Sequence, residues 1–120
     1  MRKRLVLFVQ PEMARHFDFM KLYDHGLITD WVADTTIAKK QLNDFVDVVV
    51  VDLSHGPDEC LAFCREAKRR RSDRLVVLLR AESVSMPEDS CFDLILPKNA
   101  SQDRFVRDIT ALLRHRTPAA

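Results

Sequence analysis

The sequence predicts an α/β fold, a doubly wound parallel sheet of five strands with helices on both faces. Three observations lead there. Strongly apolar runs recur along the chain: "RLVLFV" (4–9), "DVVVVD" (47–52), "RLVVLL" (74–79) and "DLIL" (93–96). They are nearly continuous rather than alternating and rich in β-branched residues, the pattern of strands buried on both faces. Between them lie stretches with apolar residues at helical spacing, and strands that alternate with helices pair in parallel.

The elements follow in order. Residues 4–9 form the first strand. Residues 12–25 put Met13, Phe17, Met20 and Tyr23 at helical spacing, and Gly26 follows as a stop. The weaker run "ITDWVAD" (28–34) is a strand near 28–33 that suits a sheet edge. Residues 35–45 read as a short helix started by Asp34, Thr35 or Thr36, with Ile37, Ala38, Leu42 and Phe45 inward. The third strand, 47–52, runs through Val48–Val51 into Asp52, with Gly56 and Pro57 in the loop beyond.

Residues 58–71 form a helix that buries Cys60, Leu61, Cys64 and Ala67. The fourth strand spans 74–79. Between Arg80 and Asp93 the stretch "AESVSMPEDSCF" contains Pro87 and three serines and lacks an apolar stripe. The fourth helix is therefore expected to be reduced or absent, at most a turn or two over 81–91. After the fifth strand (93–96), a last helix near 101–115 starts at Ser101 and buries Phe105, Ile109, Leu112 and Leu113. Residues 1–116 make one domain, and 117–120 a tail or the start of a linker.

With 120 residues, 47% apolar and 31% charged, the composition is that of a single soluble domain. The net charge of +1 argues neither for nor against nucleic acid. The clusters "RKR" (2–4) and "RRR" (69–71) are far apart in sequence and read as solvated element ends. No apolar run approaches the ~20 residues of a membrane span, and no secretory leader is legible. The three cysteines are an odd number; Cys60 and Cys64 stand one helical turn apart and Cys91 alone. They are expected to be small hydrophobes in a reducing cytosol, not a disulfide framework or a metal pair. The expected location is cytoplasmic.

Right-handed crossovers leave the flavodoxin-like order 2-1-3-4-5 as the natural arrangement of five parallel strands. Its functional crevice lies beyond the carboxyl ends of the strands, where the order switches between strands 1 and 3. Asp52, at the end of strand 3, belongs there. The turn "VQPEMARH" after strand 1 has no glycine, so a nucleotide or flavin phosphate would lack a backbone cradle. His16, His25, His55 and His115 are dispersed, and no nucleophile–base pair is legible. The expectation is a protein that is not an enzyme.

Two stretches carry a resemblance. "DVVVVDLSHGPDECLAFCREAKR" resembles the third strand, acceptor aspartate, loop and third helix of response-regulator receiver domains. "DLILPKNASQDRFVRDI" resembles their fifth strand, lysine-proline turn and last helix, and the element order extends the likeness over essentially the whole chain. The resemblance implies phosphoryl transfer from a histidine kinase to the position of Asp52. It also implies acids after strand 1 that hold Mg²⁺, a Ser or Thr after strand 4, and a lysine and an aromatic on strand 5.

This chain departs from that pattern. Gln10 and Pro11 stand where the acids belong, and Glu12 is one position late. Arg80 replaces the hydroxyl residue, with Ser83 three positions on. Pro97 falls on the lysine position and Lys98 on the proline position, while Leu94 or Ile95 replaces the aromatic. Ser54 follows Asp52 in the crevice loop.

The reading is an atypical member, a pseudo-receiver. Such a module signals through protein–protein contact without phosphorylation, and without a metal or other cofactor. A cation is expected on Asp52 in place of Mg²⁺, Arg80 first and Lys98 second. The partners implied are proteins: an output domain, a histidine kinase system, or a second copy of the chain. The alternative is a working receiver in which Asp52 and Glu12 hold Mg²⁺ and Lys98 swings in.

Overall fold

The structure, a computed structural model, describes residues 3–11, 17–81 and 91–116. Five strands form one sheet: β1 (Arg4–Val9), β2 (Leu27–Val32), β3 (Val46–Asp52), β4 (Leu75–Arg80) and β5 (Leu94–Pro97). All neighbours pair in parallel, in the order β2-β1-β3-β4-β5. Each boundary falls within one residue of the expected one, and the weaker strand β2 lies at an edge. The described helices are α1 (Phe19–Asp24), α2 (Thr35–Gln41), α3 (Pro57–Arg70) and α4 (Gln102–Arg116), with a 3₁₀ turn at Leu53–His55. The expectation of a reduced fourth helix over 81–91 falls on residues 82–90, outside the described residues, as do Glu12, His16, Ser83 and 117–120.

Side-chain alternation divides the core in two. Val6, Phe8, Val48, Val50, Leu75, Val77, Leu79 and Leu96 face one way and pack with Leu22, Phe105 and Ile109. Leu7, Val9, Val49, Val51, Val76 and Leu78 face the other way, against Ala38, Cys60, Phe63, Cys64 and Ala67. Every residue of β3 is buried, as a central strand covered on both faces must be.

Two helices differ from the sequence reading. Asp18 caps α1 by accepting from the N–H groups of Met20 and Lys21, so the helix starts at Phe19. Leu22 then faces the core and Phe17 is buried ahead of the cap, whereas Met20 is 82% exposed and Tyr23 is exposed as well. The later start rotates the face that the 12–25 pattern suggested. In the second case Asp34 caps α2 through Ile37 N–H, and the helix stops at Gln41. Leu42 is extended, and Asn43 accepts from Phe45 N–H, a local bond that competes with helix continuation. Leu42 and Ala38 are buried as expected, but Phe45 is 73% exposed and Ile37 also faces solvent.

The cysteines also depart from expectation. Cys64 and Cys91 are joined in a disulfide with Cα atoms 6.3 Å apart, and Cys60 is free and buried. The expectation that all three cysteines serve as small hydrophobes holds for Cys60 alone; Cys91, just before β5, packs on the same face of the sheet as Cys64 and meets it there.

At the amino ends of the strands, Arg70 and Arg71, expected to be solvated, are engaged, while Arg69 stays largely exposed. Arg71 donates to Asp47 and to the carbonyls of Asp44 and Val46, while Arg70 donates to those of Lys39 and Leu42. Arg74, only 1% exposed, donates to the carbonyls of Val46, Ala67 and Asn43. The pairing of β1 and β3 shifts register at Leu5/Val6, and there the Asp47 carboxylate accepts Leu5 N–H at 3.0 Å. Among the described residues no helix is long and apolar enough to cross a membrane.

Candidate functional site

Beyond the carboxyl ends of β1, β3 and β5, the sheet brings Gln10, Asp52 and Lys98 together. Alternation explains why. Asp52 has the parity of Val48 and Val50 and so faces their side of the sheet. Continuing the β1–β3 register by one residue sets Gln10 abreast of Asp52, on the same side. Lys98 has the parity of Leu94 and Leu96, again that side.

Asp52 is 3% exposed. One carboxylate oxygen accepts from Ser54 N–H at 2.9 Å, and the other lies 3.2 Å from the Lys98 ammonium. Burial by itself raises the Asp52 carboxyl. The hydrogen bonds from Ser54's N–H and hydroxyl and the Lys98 ammonium outweigh it, leaving the group below the ordinary carboxylate value. Asp52 is therefore an anion at neutral pH. Lys98 is 52% exposed, so its side of the pair opens on solvent. The loop that presents Ser54 turns at Gly56, whose φ of 100° suits glycine, and Pro57 begins α3.

The expected first choice for the cation on Asp52 was Arg80; the structure gives that place to Lys98. Arg80 shares the parity of Val76 and Leu78, so it leaves the sheet on the opposite face from Asp52. It lies beside Ile95, Leu96 and Pro97 in a shallow groove of about 220 Å³. Pro97 pairs with Arg80 in register and faces the same way. The reversed Pro97–Lys98 order thus does not remove the lysine from the crevice, because Lys98 and not Pro97 has the parity of Asp52. No count along the sequence separates Arg80 from Lys98, because the faces of β4 and β5 are fixed relative to β3 only by the strand register.

Two further contacts belong to the crevice and were not legible in sequence. The Trp31 indole N–H donates to the Gln10 carbonyl at 3.1 Å, and His55 Nε2 bonds the Val9 carbonyl at 3.2 Å. Both tie the end of β1 to its neighbours. Pro11 is exposed and Ser54 is exposed on the crevice loop.

A hard divalent cation needs several oxygen ligands, mostly anionic or water. The described crevice offers the Asp52 carboxylate, already met by Ser54 and Lys98, and one neutral amide oxygen. Gln10 is buried and its Oε1 has no hydrogen-bond partner. Pro11 supplies no side-chain ligand, and no cluster of three His, Cys, Asp or Glu side chains occurs among the described residues. These residues do not fit such an ion.

No protein-family model and no curated protein matches the sequence. Solved structures do. A response regulator from Thermotoga maritima matches at 16% identity with a TM-score of 0.77, over 93% of this chain and 98% of that one. The response regulator TrrA from the same organism, in complex with Mg²⁺ and beryllofluoride, matches at 21% identity and a TM-score of 0.70, over 93% and 99%. TrrA in complex with the histidine kinase ThkA matches at 21% identity and a TM-score of 0.73, over 92% and 98%. The fold is that of receiver domains along nearly the whole length.

Proposed function

We propose that the chain is a response-regulator-type signalling module, cytoplasmic and not an enzyme, that works through protein–protein contact without phosphorylation of Asp52. The observation that carries this reading is the neutral, buried Gln10 abreast of Asp52, where metal-assisted phosphoryl transfer asks for an acid. Phosphoryl transfer consists mostly of positioning and charge neutralisation. A single ammonium from Lys98 neutralises one charge and leaves the transferring oxygens without a second cation. In the resting crevice Lys98 instead holds Asp52 as an ion pair.

The partner in this reading is a protein. TrrA, of the same fold, is captured on a histidine kinase, which supports a kinase-like or output-domain partner here. The groove of Arg80, Ile95, Leu96 and Pro97 supplies apolar surface beside a guanidinium on the outer strand, a composition suited to protein contact.

The test is incubation with acetyl phosphate or beryllofluoride and Mg²⁺, read by intact mass and by Trp31 fluorescence. The indole is bonded to the Gln10 carbonyl, so it reports on the crevice directly. The expected result is no phosphoryl adduct and no fluorescence change. A mass gain of one phosphoryl group that disappears in Asp52→Asn overturns the proposal in favour of a working receiver.

A further inference from the structure

One stripe of α3 runs from the crevice end of β3 to the residues that precede β5. Cys60, Cys64 and Lys68 are successive residues of this stripe, four apart and therefore on one face of the helix. The Cys60 thiol donates to the Asp52 carbonyl at 3.3 Å. Cys64 is bonded to Cys91. Lys68 Nζ lies 2.6 Å from the Asp93 carboxylate. From Cys91 the chain passes through Phe92 and Asp93 into β5, and β5 delivers Lys98 back to Asp52. The ring thus formed contains a covalent bond that chemistry can open and close.

We propose that Cys64–Cys91 is a reversible redox site, exchanged by a dithiol reductant, which sets how firmly the start of β5, and through it Lys98, is held against the Asp52 side of the crevice. Cys64 is fully buried and Cys91 only partly so, which makes Cys91 the partner that a thiolate attacks. The attacking thiolate forms a mixed disulfide with Cys91, and Cys64 leaves as a thiolate that takes a proton. The reductant's second thiol then displaces Cys91, giving two protein thiols and one oxidised dithiol.

Both forms keep the fold. Asp93 N–H donates to the Val76 carbonyl at 2.9 Å, and the Asp93 carboxylate accepts from Val76 N–H and from Lys68. Phe92 is buried in the α3 layer. Reduction therefore loosens the residues before β5 without releasing the sheet. Cys60 stays out of the exchange: burial, with the Asp52 and Glu59 charges behind it, pushes its thiol up to about 12, so it remains protonated. A disulfide that opens in one compartment's ordinary redox range acts as a sensor rather than a permanent staple. The site stands whether or not Asp52 accepts a phosphoryl group.

The experiment uses the whole chain, oxidised in air and then titrated with dithiothreitol against its oxidised form. Thiols are counted by alkylation and mass, and hydrogen exchange is followed over 91–98. Of the three cysteines, one is expected to alkylate in the oxidised, denatured protein and all of them after reduction. Exchange over 91–98 is expected to rise about tenfold on reduction while 75–80 stays protected. The melting temperature is expected to fall by about 10 °C, and Cys91→Ser should reproduce the reduced form in both states. Alkylation of all three thiols after oxidation, or equal exchange over 91–98 in the two forms, overturns the proposal. The titration is made on the wild-type chain, so it decides even if the variant does not fold.

Discussion

The two ends of β3 carry buried carboxylates of opposite character. Asp47 and Asp52 are both 3% exposed and lie five residues apart on one strand. Asp47 accepts Leu5 N–H and the Arg71 guanidinium, with Arg4 at 3.8 Å, and Arg71 is itself held by Asp73 and by main-chain carbonyls. Asp52 has only Ser54, through its N–H and hydroxyl, and a lysine that is half in water. A guanidinium fixed by several acceptors makes a permanent clamp, whereas an exposed ammonium on a flexible stem can leave. Burial of an acid therefore does not mark function; the freedom of its counter-ion does.

The comparison can be broken most decisively at Asp47. Asp47→Ala strips Leu5 N–H of its acceptor and leaves Arg71 short of its buried partner, at an expected cost of about 3 kcal/mol in urea unfolding. A loss below about 1 kcal/mol would mean that the clamp is replaceable and that the two ends do not differ. Asp52→Ala should cost only about 1 kcal/mol, because Lys98 returns to solvent and Ser54 N–H faces the crevice.

Lys98→Ala sharpens the contrast from the other side. The pair is half exposed and screened by salt, so the expected loss at neutral pH is about 0.5 kcal/mol, shrinking further in 1 M salt. A loss of several kcal/mol would show Lys98 to be as fixed as Arg71. The smallest effect is in acid. The folded Asp52 carboxyl lies below its unfolded value, so its contribution is complete above about pH 4 and disappears as pH falls through the folded value. Asp52→Asn should accordingly lower stability slightly at neutral pH and flatten the acid limb, so that the two proteins converge as pH falls below the folded value. If the difference between the proteins instead grows as pH falls below 4, the sign of the shift is wrong.

Sequence by itself determined the sheet. Apolar runs of fixed length, β-branched and separated by helical spacing, permit few arrangements, and right-handed crossovers select one of them. The place of Asp52 in the crevice and the want of an acid at Gln10 and Pro11 were legible for the same reason: both depend only on where a strand ends. Contacts made across the chain were decided by tertiary structure. Whether Arg80 or Lys98 meets Asp52 depends on which sheet face each leaves. That Cys64 meets Cys91 depends on α3 lying over β4 and the start of β5. The start of α1 at Phe19 was fixed by a cap whose bonds outweighed the apolar pattern around it. Local pattern specifies elements because propensity and periodicity act over a few residues; pairing of side chains far apart in sequence depends on faces and distances that exist only once the sheet has formed.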